Sequence, residues 1–277
     1  MCGLDWCNML GVMEDMLQYR EYMAQVLELA RKGAGWVDPN PLVGAVVVSG
    51  GEVLATGYHD RYRGPHAERM AFDYAHAHGI DLTGATVIDT LEPCCHVGSQ
   101  PACTALILAH GIARVVVGSV DPNPIVAGKG LRILEEAGVE VVRDVMREEC
   151  DAINRHFFHY ITTGKPYIVD GRRRAGESDS EYAVRRRELY ATYAAVLAGT
   201  ESDVPDESFA HFNGPVQAVG ADEVVIGGHR PLLLEAGALA CTDPDEWLSE
   251  LGKRKIDSLI VESDEAFERL SMACQKD

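Results

Sequence analysis

Residues 85–120 read ATVIDTLEPCCHVGSQPACTALILAHGIARVVVGSV. The opening run, ATVIDTLEP, is short and apolar and predicts a buried strand. PACTALILAHG predicts a helix that stops at Gly111, and ARVVVGSV predicts a second strand. Strand, helix and strand at this spacing make a βα unit. Such units belong on a mostly parallel sheet covered by helices on both faces.

The same alternation extends outward. Upstream, PLVGAVVVSGGEVLATGYH is a hairpin turning at Ser49-Gly50-Gly51, and Gly64-Pro65 opens a helix through HAERMAFDYAHAHG. MAQVLELARKG is an amphipathic helix closed by Gly33, with the first 20 residues before it read as an extension. Downstream come a helix (GLRILEEAG), a strand (VEVVRD) and one long helix, VMREECDAINRHFFHYITTG. After Thr163-Gly164-Lys165-Pro166 the character changes. DGRRRAGESDSEYAVRRREL reads as a polar linker entering a helix, and ADEVVIGG and KIDSLIVES are the strand candidates beyond it. The expected organisation is an N-terminal extension (1–20), an α/β domain (21–165) and a smaller region (166–277). The arginine runs 172–174 and 185–187 are expected to be solvated faces.

Composition narrows the class. The chain has 277 residues, 47% hydrophobic and 25% charged, as in ordinary globular proteins. No apolar run nears the ~20 residues that cross a bilayer, and no basic leader precedes an apolar stretch at the N-terminus. A cytoplasmic location is therefore expected, with the eight cysteines as thiols or metal ligands. The formal charge of −18 disfavours a nucleic-acid surface, whose affinity comes largely from phosphate neutralisation. A pocket for one small phosphate is still compatible with it.

The chemistry concentrates in His66-Ala67-Glu68, Pro93-Cys94 and Cys103, each falling at a loop-to-helix junction where α/β sheets bind ligands. One imidazole and two thiolates supply the three donors of a catalytic zinc ion, with the fourth position left for water. Zinc brings the pKa of that water from 15.7 toward about 7. Glu68, two residues after His66 on the same first turn, can face the water without ligating the metal. It can then move a proton from the water to a departing amine. The start of a helix also suits Cys103 as a thiolate. A closed structural zinc site is the rival reading, with Cys95 or His96 as fourth ligand. A lone H-x-E or a lone cysteine pair would carry little weight; their ordered combination carries the argument.

These residues resemble the deaminase half of the bacterial bifunctional riboflavin-biosynthesis deaminase/reductase. The resemblance runs from about Tyr22 to Tyr167 through PNPLVGAVVV, GYHDRYRGPHAE, LEPCCHVGSQPAC, VDPNPIVAGKGLRILEEAGVEV and NRHFFHYITTGKPYIV. In tRNA-adenosine and cytidine deaminases the second cysteine comes three positions after the first; here that position is Val97. The resemblance implies a cytidine-deaminase-like three-layer α/β/α sandwich and a small α/β C-terminal region. It implies Zn2+ on His66, Cys94 and Cys103, with Glu68 as proton shuttle. The implied reaction is hydrolytic removal of the 2-amino group of 2,5-diamino-6-(5-phosphoribosylamino)pyrimidin-4-one, a small pyrimidine nucleotide. Substrate contacts map to Asn40, His59, His96, Asp121 and Asn123. Asn40, Asp121 and Asn123 are also good turn formers, and His59 and His96 have structural hydrogen bonds as their plainer role. Relatives of this fold commonly associate, so a homo-oligomer is expected, with no nucleic-acid or membrane partner. A deaminase of the same fold for another aminated base, or an inactive zinc-stabilised scaffold, are the alternatives.

Two departures from that family stand out. It usually reads Gly-(Lys/Arg)-Thr-Pro-Pro-Cys where this chain has Gly98-Ser99-Gln100-Pro101-Ala102-Cys103, so Ser99 replaces a cation for the phosphate. Losing such a contact costs roughly 1.5–3 kcal/mol, unless Arg61 or Arg63 substitutes. In 166–277, Val169-Asp170-Gly171-Arg172 stands where a Ser-Leu-Asp-Gly stretch is expected. Glu262-Ser263-Asp264 replaces the Glu-Gly-Gly that lets backbone approach cofactor phosphates. The region is therefore expected to be a reduced reductase remnant without reductase activity.

Overall fold

The computed structural model describes residues 6–96, 101–124, 126–197, 232–234 and 243–274. They form two compact units: the described residues of 1–33 and 42–154, and those of 34–41 and 155–277.

The first unit is built on a five-stranded sheet of order β2-β1-β3-β4-β5. Its strands are β1 (Gly44–Ser49), β2 (Glu52–Tyr58), β3 (Thr86–Leu91), β4 (Arg114–Ser119) and β5 (Glu140–Val142). The β1–β2 and β1–β3 ladders are antiparallel, and β3–β4 and β4–β5 are parallel. The sheet is thus mixed, because the N-terminal hairpin supplies its first two strands. Alternate residues sort to opposite faces, as strand geometry requires. Val47, Val87, Val115 and Val117 pack with α2 (Ala67–Ala77), α3 (Cys103–Ala109) and α4 (Lys129–Glu136). Val46, Val48, Ile88 and Val116 pack with α1 (Trp6–Arg31) and α5 (Arg147–Ile153). The result is an α/β/α sandwich.

Two elements differ from the sequence reading. Helix α1 begins at Trp6, so residues expected to be an extension are helical, and from Met13 onward its first buried side chain is Tyr19. The predicted long helix after residue 145 is split in two at Asn154, into α5 and α6 (Arg155–Thr163). Buried Asn154 explains the split: its side chain accepts from the Leu42 N–H and donates to the Leu42 C=O, both at 2.8 Å. An amide committed to a segment 112 residues away fixes the chain there.

The second unit carries a parallel sheet of order β6-β9-β7-β8. Its strands are β6 (Tyr167–Asp170), β7 (Ala195–Leu197), β8 (Leu232–Leu234) and β9 (Ser258–Val261). On one face Leu197, Leu259 and Val261 meet α8 (Pro244–Lys253) and α9 (Asp264–Cys274); on the other Val169, Val196 and Ile260 meet Tyr190 of α7 (Asp179–Thr192). Ser178 and Glu181 form a capping box that starts α7 where the polar linker was expected to become helical. KIDSLIVES holds β9; ADEVVIGG lies outside the described residues. Arg185 and Arg186 are not solvated faces. They lie in largely buried ion pairs, with Glu177 at 2.7 Å and with Glu262 at 2.6 Å.

Candidate active site

His66 is the N-cap of α2, with extended backbone, and Glu68 follows in the first turn. Strand β2 crosses close to this helix start. A Cβ on Gly57 would stand 2.1 Å from the Ala67 carbonyl oxygen, so only glycine permits the approach. Cys94 lies in the loop after β3, and Cys103 is the first residue of α3. The two segments are stitched by the Thr104 N–H donating to the Cys94 C=O at 3.2 Å.

This brings His66 Nδ1 to 3.3 Å from Cys103 Sγ and 3.5 Å from Cys94 Sγ. All three donor atoms lie within 4.8 Å of one another, and among the described residues neither Cys95 nor His96 joins them. Two sulfurs and one imidazole nitrogen converging as three donors fit a zinc ion with an open position. The Cys103 amide donates to Cys94 Sγ at 3.3 Å, so the positive end of α3 favours a thiolate on Cys94. Cys94 is accordingly held down to about 4, first by the hydrogen bond from the Cys103 thiol and further by His66 and that amide. Cys103 keeps the shared proton, raised chiefly by the same contact with Cys94. His66 is raised, most of all by its hydrogen bond to Cys94.

Glu68 is buried and in hydrogen-bonding contact with Cys103, and its carboxyl is raised above the ordinary range by that burial. A carboxyl that holds a proton more readily than usual, beside the donor cluster, suits proton transfer near neutral pH. Beneath it in β3 lies Asp89, fully buried and raised well above its usual range by burial and then by Glu68.

Of the expected substrate contacts, His59 is buried with its ring 5.8 Å from that of His66, edge to face, and its Nδ1 2.9 Å from the Pro65 carbonyl oxygen. Burial lowers its pKa. Asp121 is buried and pushed up to about 6, mainly by burial; exposed His96 acts on it electrostatically in the opposite direction. Asn123 donates its N–H to Asp121 Oδ1 at 2.8 Å, so the turn-forming role is realised there. Asn40 lies in the second unit, where its N–H donates to the Val37 C=O at 2.8 Å. Ser99 lies outside the described residues, and exposed Arg61 is paired with Asp60 at 2.7 Å.

The sequence reading assigned nothing to Glu92. Its buried carboxylate accepts from the N–H groups of Asp121 (3.3 Å), Gly128 (2.8 Å), Gly130 (2.9 Å) and Leu131 (3.4 Å). It holds the loop that carries Asp121 and Asn123 and caps α4. The only sequence signal was a carboxylate at a strand exit, which is too common to single out.

Residues 16–119 match the family model described as cytidine and deoxycytidylate deaminase zinc-binding region. The riboflavin biosynthesis protein RibD of Actinobacillus pleuropneumoniae is 36% identical over 87% of this chain and 77% of its own length. RibD of Escherichia coli is 42% identical over 69% of this chain, and the match spans 55% of that relative. The crystal structure of a diaminohydroxyphosphoribosylaminopyrimidine deaminase/5-amino-6-(5-phosphoribosylamino)uracil reductase from Thermotoga maritima superposes with a TM-score of 0.75 at 31% identity. That superposition covers 93% of this chain and 84% of the other. The zinc-binding family, the fold and the donor triad agree, and this chain belongs to the RibD family of riboflavin-biosynthesis proteins, with a zinc-dependent deaminase domain of the cytidine-deaminase fold.

Proposed function

We propose that this chain removes the 2-amino group of 2,5-diamino-6-(5-phosphoribosylamino)pyrimidin-4-one, with His66, Cys94 and Cys103 as zinc ligands and Glu68 as proton shuttle. The observation that carries the reading is the convergence of three donors beside a buried carboxyl with a raised pKa. Zinc, when bound, would lower the pKa of a water and so supply a nucleophile at neutral pH. Glu68 accepts the proton of the attacking water on a carboxylate oxygen. It returns that proton to the amino nitrogen, which leaves as ammonia, and the proton of the new hydroxyl passes to the adjacent ring nitrogen as the ring carbon becomes a carbonyl. Asp121, Asn123, His96, His59 and Asn40 are assigned to ribose, ring-edge and phosphate contacts. His59, whose pKa burial lowers and whose ring is tethered to the Pro65 carbonyl, suits a ring contact better than charge pairing.

The test is an assay of the zinc-loaded protein on the diaminopyrimidine ribotide, with ammonia measured and the product identified by mass. Glu68→Gln should lower the rate by about 10²–10⁴-fold with zinc content unchanged. Ammonia release surviving in that variant, or seen only with another aminated base, overturns the assignment.

We assign no reductase activity to 166–277. Ser263 caps α9, its Oγ accepting from the Ala266 N–H at 3.1 Å, and Asp264 and Glu265 place negative charge in the helix's first turn. Those charges oppose a pyrophosphate at that helix start. NADPH mixed with the deaminated product should stay unoxidised; turnover would refute this. The chain is further read as a cytoplasmic homo-oligomer acting on a small molecule, and light scattering of the purified protein checks the association.

A further inference from the structure

The second unit holds another convergent group, remote in chemistry from the thiolate site: Asp38, His156 and Asp257, all buried. His156 Nε2 lies 3.7 Å from Asp38 Oδ1 and 3.8 Å from Asp257 Oδ2. Both separations are too long for hydrogen bonds. Neither His156 Nε2 nor Asp257 Oδ2 has a hydrogen-bond partner, although Asp257 is wholly buried and His156 is only 3% exposed. A buried carboxylate oxygen and a buried imidazole nitrogen that face each other without a hydrogen-bond partner are costly to keep.

The spacing has a simple explanation. Donors on one ion at about 2.1 Å stand no more than about 4.2 Å apart. The observed 3.7 and 3.8 Å fall inside that limit and just above the 3.3 and 3.5 Å of the His66–cysteine contacts. Asp257 is also oriented for the task. Its Oδ1 accepts from the Ser258 hydroxyl at 2.9 Å, and Ser258 Oγ in turn accepts from the Ala194 N–H at 2.9 Å, which leaves Oδ2 facing His156. Outer partners of this kind are what fix metal-ligating carboxylates. The ring of Tyr193 meets His156 edge to face and closes one side of the imidazole.

We propose that Asp38, His156 and Asp257 form a second, structural metal site that binds a divalent first-row transition ion. Two hard oxygens and one imidazole suit Mn2+, Fe2+, Co2+ or Zn2+ and lack the sulfur that a soft ion such as Cu+ requires. The ion would tie the 34–41 segment to α6 and to the residue that immediately precedes β9. Burial pushes Asp257 up to about 7, and Asp38 and Asp257 raise His156 against the opposing effect of its own burial.

The experiment uses the full chain with Cys94→Ser and Cys103→Ser, which removes the thiolate donors. After chelation and dialysis, Mn2+ is titrated and free ion is followed by electron paramagnetic resonance, with thermal unfolding in parallel. The expected result is one Mn2+ bound per chain and a higher unfolding temperature with Mn2+. Asp257→Asn added to that background should weaken binding at least about 100-fold, beyond what loss of an outer partner does. The unsubstituted chain should carry two divalent metals by elemental analysis. Absence of Mn2+ binding in the double-serine protein, or undiminished binding after Asp257→Asn, would overturn the proposal.

Discussion

Asp89 occupies a position where chemistry and packing conflict. It faces the same side of β3 as Val87, between Ala45 and Val117 on the neighbouring strands, and neither carboxyl oxygen has a hydrogen-bond partner. Its carboxyl is raised well above the usual range by burial, with Glu68 and Cys94 adding to the effect. The folded state thus binds a proton that the unfolded chain releases above a pKa of about 3.9. The penalty is absent at low pH, where both states are protonated, and grows as pH rises toward the folded pKa. Asp89→Val should therefore stabilise the protein by about 1–3 kcal/mol near neutrality. Chemical denaturation at pH 5 and pH 8 checks this, and the gain should be larger at pH 8. A loss of stability at both values would show that the carboxyl has a productive partner. Sequence alone marked the strand correctly but gave this residue no place, because an aspartate in an apolar run does not reveal which face it takes.

At the level of elements, the loop from Ser119 to α4 is organised by one side chain. Glu92 gathers four backbone N–H groups, while Gly130 passes so close to the Pro93 carbonyl that a Cβ there would stand 2.3 Å from its oxygen. Glu92→Gln leaves one acceptor oxygen for donors that now share two. Stability should fall by about 2–3 kcal/mol, the scale of hydrogen bonds to a charged acceptor. Because Asp121 and Asn123 ride on this loop, KM should rise several-fold more than kcat falls; steady-state kinetics at fixed zinc loading separates the two. An unchanged KM would show that the loop does not position substrate contacts. The helices and strands flanking this loop were legible from period and punctuation alone. Two kinds of feature were not: the break at Asn154, which depends on a partner at Leu42, and the antiparallel pairing of β1 with β3. Each is settled by a contact between residues far apart in sequence, which local pattern does not encode.

For the whole molecule, the convergence of His66, Cys94 and Cys103 was legible because metal donors have few chemical options and each of the three falls at a loop-to-helix junction. The second unit was less so: β6, β7 and β8 have three or four residues each. Runs that short become strands only when parallel partners cover them, and those partners come from distant segments. Net charge, in contrast, is independent of fold. With 43 acidic against 25 basic residues, the chain's field opposes an anionic substrate at long range. Ser99 supplies no cation where the family resemblance leads one to expect it, and Arg61 is already paired. The KM for the phosphorylated substrate should therefore fall, by about two- to fivefold, as ionic strength rises from 10 to about 150 mM and the Debye length contracts from ~30 to ~8 Å. The dephosphorylated riboside, lacking the charge, should show little change over the same range. If KM for the ribotide instead rises with salt while that of the riboside stays flat, a local cationic pocket outweighs the global field, and phosphate recognition is stronger than Ser99 implies.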